Sequence, residues 1–140
     1  MITREAFRQA ARSLRGCTFQ HMGRTRDSGL DCVGVPYAAA VLAGLSLPAT
    51  PTYSCQPTEQ DLLNGLAQFC DRVADPADAD VWQVPFLGGA RHVVVPVEEL
   101  PNGTLCIHAW SNRNRVVETV WRRETAQGWR MRGVEWQAQQ

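Results

Sequence analysis

Apolar positions recur at helical spacing through the first half of the chain and switch to strand-like runs in the second. In Thr3–Leu14, Phe7, Ala10, Ala11 and Leu14 share one face, while Arg4, Arg8, Arg12 and Arg15 line the other. The segment predicts an amphipathic helix capped by Thr3 and stopped by Gly16, its arginines a solvated stripe or a docking face for an acidic partner. Residues 17–30 are polar and punctuated by glycine, and read as a loop. Asp31 then opens an alanine-rich run, Val33–Leu45, predicted as a buried helix with Pro36 in its first turn and Gly44 at its end. Pro48–Pro57 is a proline- and threonine-rich connector. Thr58 caps a third predicted helix with Leu62, Leu63, Leu66, Phe69, Cys70 and Val73 on its apolar face. Asp75–Asp80 reads as a turn.

From Val81 the pattern predicts strands over Val81–Phe86, Arg91–Val97, Thr104–Trp110, Val116–Trp121 and Trp129–Trp136. Gly88-Gly89, Asn102-Gly103, Ser111-Asn112 and Gln127-Gly128 separate them. Helices followed by antiparallel strands make an α+β layout, helices packed on a five- to six-stranded sheet. The 140 residues read as one domain, 1–140, with a frayed Gln-Ala-Gln-Gln end.

Composition narrows the function classes. Fourteen basic and 14 acidic residues cancel, every basic one is arginine, and bulk attraction to nucleic acid or an anionic membrane is not expected. No apolar run is long enough to span a membrane, and the N-terminus does not read as a secretory signal, so synthesis in the cytoplasm is expected. Trp82, Trp110, Trp121, Trp129 and Trp136 read as core or groove residues. Arg113, Arg115, Arg122, Arg123, Arg130 and Arg132 read as a solvated sheet face, with contact to an anionic glycan-peptide as the other reading. Five cysteines, an odd number, argue against a disulfide framework, and no Cys-x-x-Cys or His-x-x-x-His spacing suggests a metal.

The thiols therefore stand singly. Cys32 falls at the start of the second helix, after the cap candidate Asp31, where unpaired N–H groups and the helix dipole favour thiolate. Gly34 keeps the next position small for an approaching carbonyl. The bland alternative is a buried helix cysteine. A nucleophilic thiol needs a base, and His92 and His108 both lie in predicted strands. A hairpin centred on residue 100 pairs His92 with His108, Val94 with Cys106 and Pro96 with Thr104, with Cβ atoms of opposed residues about 5 Å apart. A rival register turns at Asn102-Gly103 and sets His92 opposite Arg113. Each histidine alone reads as a half-buried, hydrogen-bonded strand residue. Together with a helix-start thiol they make a nucleophile, a base and an orienting group.

Four segments, Gly16-Cys-Thr-Phe-Gln-His-Met-Gly-Arg24, Gly29-Leu-Asp-Cys-Val-Gly34, Arg91-His-Val-Val-Val95 and Cys106-Ile-His-Ala109, resemble the motifs of NlpC-type cell-wall peptidases in the same order. The resemblance covers residues 16–120 and is greatest to the branch encoded beside phage tail genes and in prophages. It implies a papain-like α+β fold and hydrolysis of peptidoglycan stem peptides, usually between D-glutamate and a diamino acid. It gives Cys32 the nucleophile's role, His92 the base's and His108 the orienting role. It also implies phage tail-tip or baseplate hub proteins as partners and a place in a phage or phage-like tail. Phe19 stands where the family usually has tyrosine, and Val33 follows the nucleophile in place of serine, so Gln20 and His21 are candidate substitutes for the missing hydroxyl. Asp31 and the Val33 N–H complete the candidate substrate and oxyanion set. The chemistry calls for no cofactor or metal. A structural tail-tip adaptor and an acyltransferase on the same thiol–histidine pair are the competing classes.

Overall fold

A computed structural model of the chain describes residues 1–86 and 91–136. The expected Gly88-Gly89 turn and the Gln-Ala-Gln-Gln end lie outside the described residues. Within them the layout is α+β: three helices and an antiparallel six-stranded sheet.

Helix α1, Arg4–Ser13, begins where Thr3 accepts a hydrogen bond from the Ala6 N–H at 3.0 Å. Helix α2, Gly34–Ala43, ends at Gly44, whose φ of 121° suits glycine and whose N–H returns to the Ala40 and Val41 carbonyls. Its first half is buried as expected, but Val41 and Leu42 are exposed. Helix α3, Glu59–Ala67, carries a full capping box between Thr58 and Asp61.

The third helix is shorter than its apolar spacing predicts. Phe69 and Cys70 are buried, yet Cys70–Val73 is strand β4. It pairs with β9, Gln127–Met131, at the edge of the large sheet, and that ladder gives the segment more than another helical turn would. Two short pairs were not expected: β1, Ile2–Thr3, joins β10, Val134–Glu135, which the single expected strand Trp129–Trp136 ran together with β9, while β2, Arg24–Thr25, and β3, Gly29–Leu30, form a hairpin within the expected loop.

The remaining strands are β5, Val81–Pro85; β6, Arg91–Leu100; β7, Gly103–Trp110; and β8, Arg115–Trp121. The sheet runs β4-β9-β5-β6-β7-β8. Helices cover one face, where Phe7, Leu14, Leu66, Val93, Val95 and Ile107 meet in the main core. Each such side chain contributes about 1.5–3 kcal/mol on burial. Trp82, Val84, Val94 and Cys106 form a second cluster on the opposite face.

Neither expected β6–β7 register is the observed one. The hairpin turns at Pro101-Asn102, with Leu100 opposite Gly103 and Glu98 opposite Leu105. A bulge at Val97 then shifts the pairing, so that Pro96 meets Cys106 and Val95 meets Ile107. Regular pairing from this turn would place His92 and His108 on opposite faces. The extra residue restores both to one face.

Candidate active site

The start of α2 is organised by Asp31. Its Oδ1 accepts from the Gly34 N–H at 2.8 Å and its carbonyl from the Val35 N–H at 3.2 Å, so Asp31 caps the helix as expected. Of the first N–H groups, those of Cys32 and Val33 remain. Arg24 reaches Asp31 Oδ1 at 2.7 Å, Thr50 Oγ1 at 2.9 Å and the Tyr53 hydroxyl at 2.9 Å, and Tyr53 also donates to Asp31 Oδ2. Burial alone would lower the Arg24 pKa, but Asp31 and Tyr53 outweigh it and hold it above its ordinary value. One guanidinium thus ties the connector to the helix start. The connector is fixed again at His21, whose Nε2–H donates to the Tyr53 carbonyl at 2.9 Å.

Cys32 is 9% exposed, at the edge of the main core. The N–H groups of Val93 and Val33 approach its sulfur and lower its pKa. Burial, and then the Asp31 carboxylate, act the other way and push the thiol up to about 12. The expectation of a thiolate made acidic by the helix start is therefore corrected: the helix field is outweighed by desolvation and by the very residue that caps it. Gly34 also has a different use. A Cβ there would lie 2.1 Å from the Gly23 carbonyl oxygen, so its smallness admits the loop backbone and not a substrate.

The two histidines meet. His92 Nε2 and His108 Nδ1 are 2.9 Å apart, and His108 Nε2 lies 2.8 Å from Thr119 Oγ1. Phe86 stacks on the His92 ring at 4.4 Å, and Trp121 meets His108 edge-on at 4.8 Å. Burial in this aromatic nest pushes His92 down to about 3, aided by His108, and His108 down to about 4. Both rings are neutral at physiological pH.

A cavity of about 540 Å³ opens over the helix start. Phe19, His21, Asp31, Cys32 and His92 line it, joined by Tyr53, Cys55, Pro57, Phe86, Ala109, Trp110, Ser111 and Asn112. Three candidates fall outside its lining: His108, fully buried and in contact with His92, together with Gln20 and Val33. Gln20 is exposed, its N–H spent on the Leu30 carbonyl, because the strand-like pairing of Phe19 with Leu30 turns the next side chain outward. Val33 packs wholly into the core and contributes its N–H alone. Sequence reading missed Tyr53, Arg24, Phe86 and Thr119. Arg24 closes the first motif, but Tyr53 sits in a connector without periodicity. Thr119 is set by strand register, which no local pattern announces.

This arrangement sets a thiol and an imidazole on the lining of one cavity, with a second imidazole hydrogen-bonded to the first. Among the described residues, no group of three or more metal-ligating side chains assembles. No described helix is long and apolar enough to cross a membrane.

No protein-family model matches the chain, and no curated protein matches it. Solved structures do. The P60 domain of antigen MAP1204 from M. avium subspecies paratuberculosis superposes with a TM-score of 0.58 at 16% identity, covering 94% of this chain and 95% of that one. The peptidoglycan hydrolase RipB from Mycobacterium tuberculosis superposes with a TM-score of 0.57 at 20% identity, covering 94% of this chain and 65% of that one. The chain thus has the papain-like α+β fold of these two structures, its helices laid on a six-stranded antiparallel sheet.

Proposed function

We propose that the protein is a cysteine hydrolase acting on amide bonds of peptidoglycan stem peptides, with Cys32 as nucleophile, His92 as general base and His108 as its orienting partner. The observation that carries this reading is the His92–His108 contact at the wall of the cavity that Cys32 also lines. His92 spends Nε2 on His108, which leaves Nδ1 to exchange a proton with the cavity. The substrate class draws support from the fold shared with a protein named as a peptidoglycan hydrolase. The bond between D-glutamate and a diamino acid, and a station in a phage tail beside hub proteins, rest on the motif resemblance.

The resting pair is a neutral thiol and a neutral imidazole. His92 Nδ1 removes the thiol proton as sulfur attacks the carbonyl carbon, so charge separates with substrate in place. The Cys32 N–H, not used by Asp31, is available to the oxyanion. The imidazolium gives its proton to the leaving amine, and water, deprotonated by His92, releases the acid from the thioester.

A second reading, an inactive tail-tip adaptor on this fold, draws on the unactivated thiol and on Phe19, which has no hydroxyl. One assay separates the two. Purified protein incubated with cell-wall sacculi is expected to release new amine groups, and Cys32→Ala to release none while keeping its fold. Equal release by both proteins rejects Cys32 as nucleophile, and no release by either favours the adaptor.

A further inference from the structure

We propose that Thr119 is a positioning residue for the histidine pair: its hydroxyl oxygen accepts the Nε2–H of His108 and thereby holds His92 in the tautomer able to act as a base. The inference deepens the hydrolase reading and rests on it for its catalytic consequence, though not for its structural one.

The number of ring protons limits which tautomers the pair can adopt. Two neutral imidazoles carry two N–H groups, and one nitrogen of each faces the other, at 2.9 Å. A hydrogen bond there needs one hydrogen between them. If it belongs to His92 Nε2, then His92 Nδ1 is bare and accepts a proton. His108 Nδ1 is then the acceptor, and the second hydrogen sits on His108 Nε2. If instead it belongs to His108 Nδ1, His92 carries its hydrogen on Nδ1 and has nothing with which to take one from the thiol. The same count holds once His92 is charged. An imidazolium donates from both nitrogens, so His108 must accept at Nδ1 and donate at Nε2.

In every state that catalysis uses, a hydrogen therefore points from His108 Nε2 towards Thr119 Oγ1, 2.8 Å away. His108 is 0% exposed. Phe86, Trp110 and Trp121 pack around it, and the Trp121 indole N–H is directed to the Pro85 carbonyl. Removing the hydroxyl oxygen would strand a buried N–H at the moment its partner becomes charged. Register makes the contact possible. Thr119 pairs with Cys106 across β7 and β8, two residues from His108 on the same face.

The test combines side-chain nitrogen NMR with kinetics. In the unaltered protein at neutral pH, both histidines are expected as neutral rings with hydrogen on Nε2. A hydrogen on His108 Nδ1 overturns the proposal whether or not the protein cuts peptidoglycan. Thr119→Val is expected to mix the tautomers and to lower kcat about tenfold or more with KM unchanged. Thr119→Ser, which keeps the oxygen, is expected to restore both. A Thr119→Val variant with one tautomer and full kcat overturns the proposal, as does a Thr119→Ser variant with disordered tautomers. If Thr119→Val does not fold, the unaltered protein's spectrum and Thr119→Ser decide. An unaltered protein with the expected tautomers that cleaves no sacculi refutes the hydrolase reading and leaves the hydrogen-bond assignment standing.

Discussion

His92 Nε2 lies 2.9 Å from His108 Nδ1, although the two residues are not cross-strand partners. Continuing the observed pairing of Val95 with Ile107 sets Val94 opposite His108, so His92 reaches its partner diagonally. Diagonal neighbours on one face remain within reach of long or aromatic side chains. The bulge at Val97 is what keeps both on that face, given a turn at Pro101-Asn102.

Deleting Val97 provides a sharp check of that geometry. The pairs on either side of the bulge, Pro96 with Cys106 and Glu98 with Leu105, can then join as one regular ladder. The histidine contact is expected to survive, at a stability cost of about 1.5–3 kcal/mol for the lost buried valine. Chemical denaturation measures the cost and imidazole NMR the contact. Loss of the contact in a folded variant would show that the bulge acts on the histidines by more than parity.

Thiol reactivity is expected to follow exposure and not the helix dipole. Cys55 is exposed at the cavity, whereas Cys32 is buried with its thiol pushed up to about 12. Alkylation near neutral pH, followed by peptide mass mapping, is expected to label Cys55 first and Cys32 slowly, with no thiolate absorbance from Cys32. Rapid labelling of Cys32 would mean that its field is more positive than Asp31 and burial permit.

Acidification should unfold the protein earlier than its carboxylates alone would. In the unfolded chain a histidine titrates near its ordinary value of about 6.5. In the fold, His92 and His108 are held down to about 3 and about 4. Between those values the unfolded state binds more protons, so stability falls as pH drops below about 6.5, by up to about 1.4 kcal/mol per pH unit for each ring. Above about 6.5 the two contribute no slope. Urea midpoints from pH 5 to 8 measure this, and His108→Gln is expected to flatten the acid side.

Arg24→Met should destabilise more than an ordinary surface change. The side chains of Arg24 and Asp31 are 15% and 5% exposed, and the guanidinium also holds Thr50 and Tyr53. Breaking one member of such a buried pair costs about 3–5 kcal/mol. Thermal and urea denaturation measure it, and Arg24→Lys is expected to recover part, since an ammonium lacks the planar fork.

Periodicity and capping by themselves determined the helices and most strands: Thr3, Thr58 and Gly44 mark their ends with local chemistry that needs no distant partner. Motif order was enough to single out Cys32, His92 and His108. What tertiary structure alone decided is how those groups behave. Whether Cys32 is thiolate or thiol depends on how much water packing removes, and β4 exists because a distant strand, β9, offers it a ladder. The contact between the histidines depends on the β6–β7 register that the bulge at Val97 reconciles with the turn, and the partner of His108 on which residue of β8 lies beside Cys106. These are long-range properties of register and burial, and they leave no mark on the local pattern of apolar and polar residues.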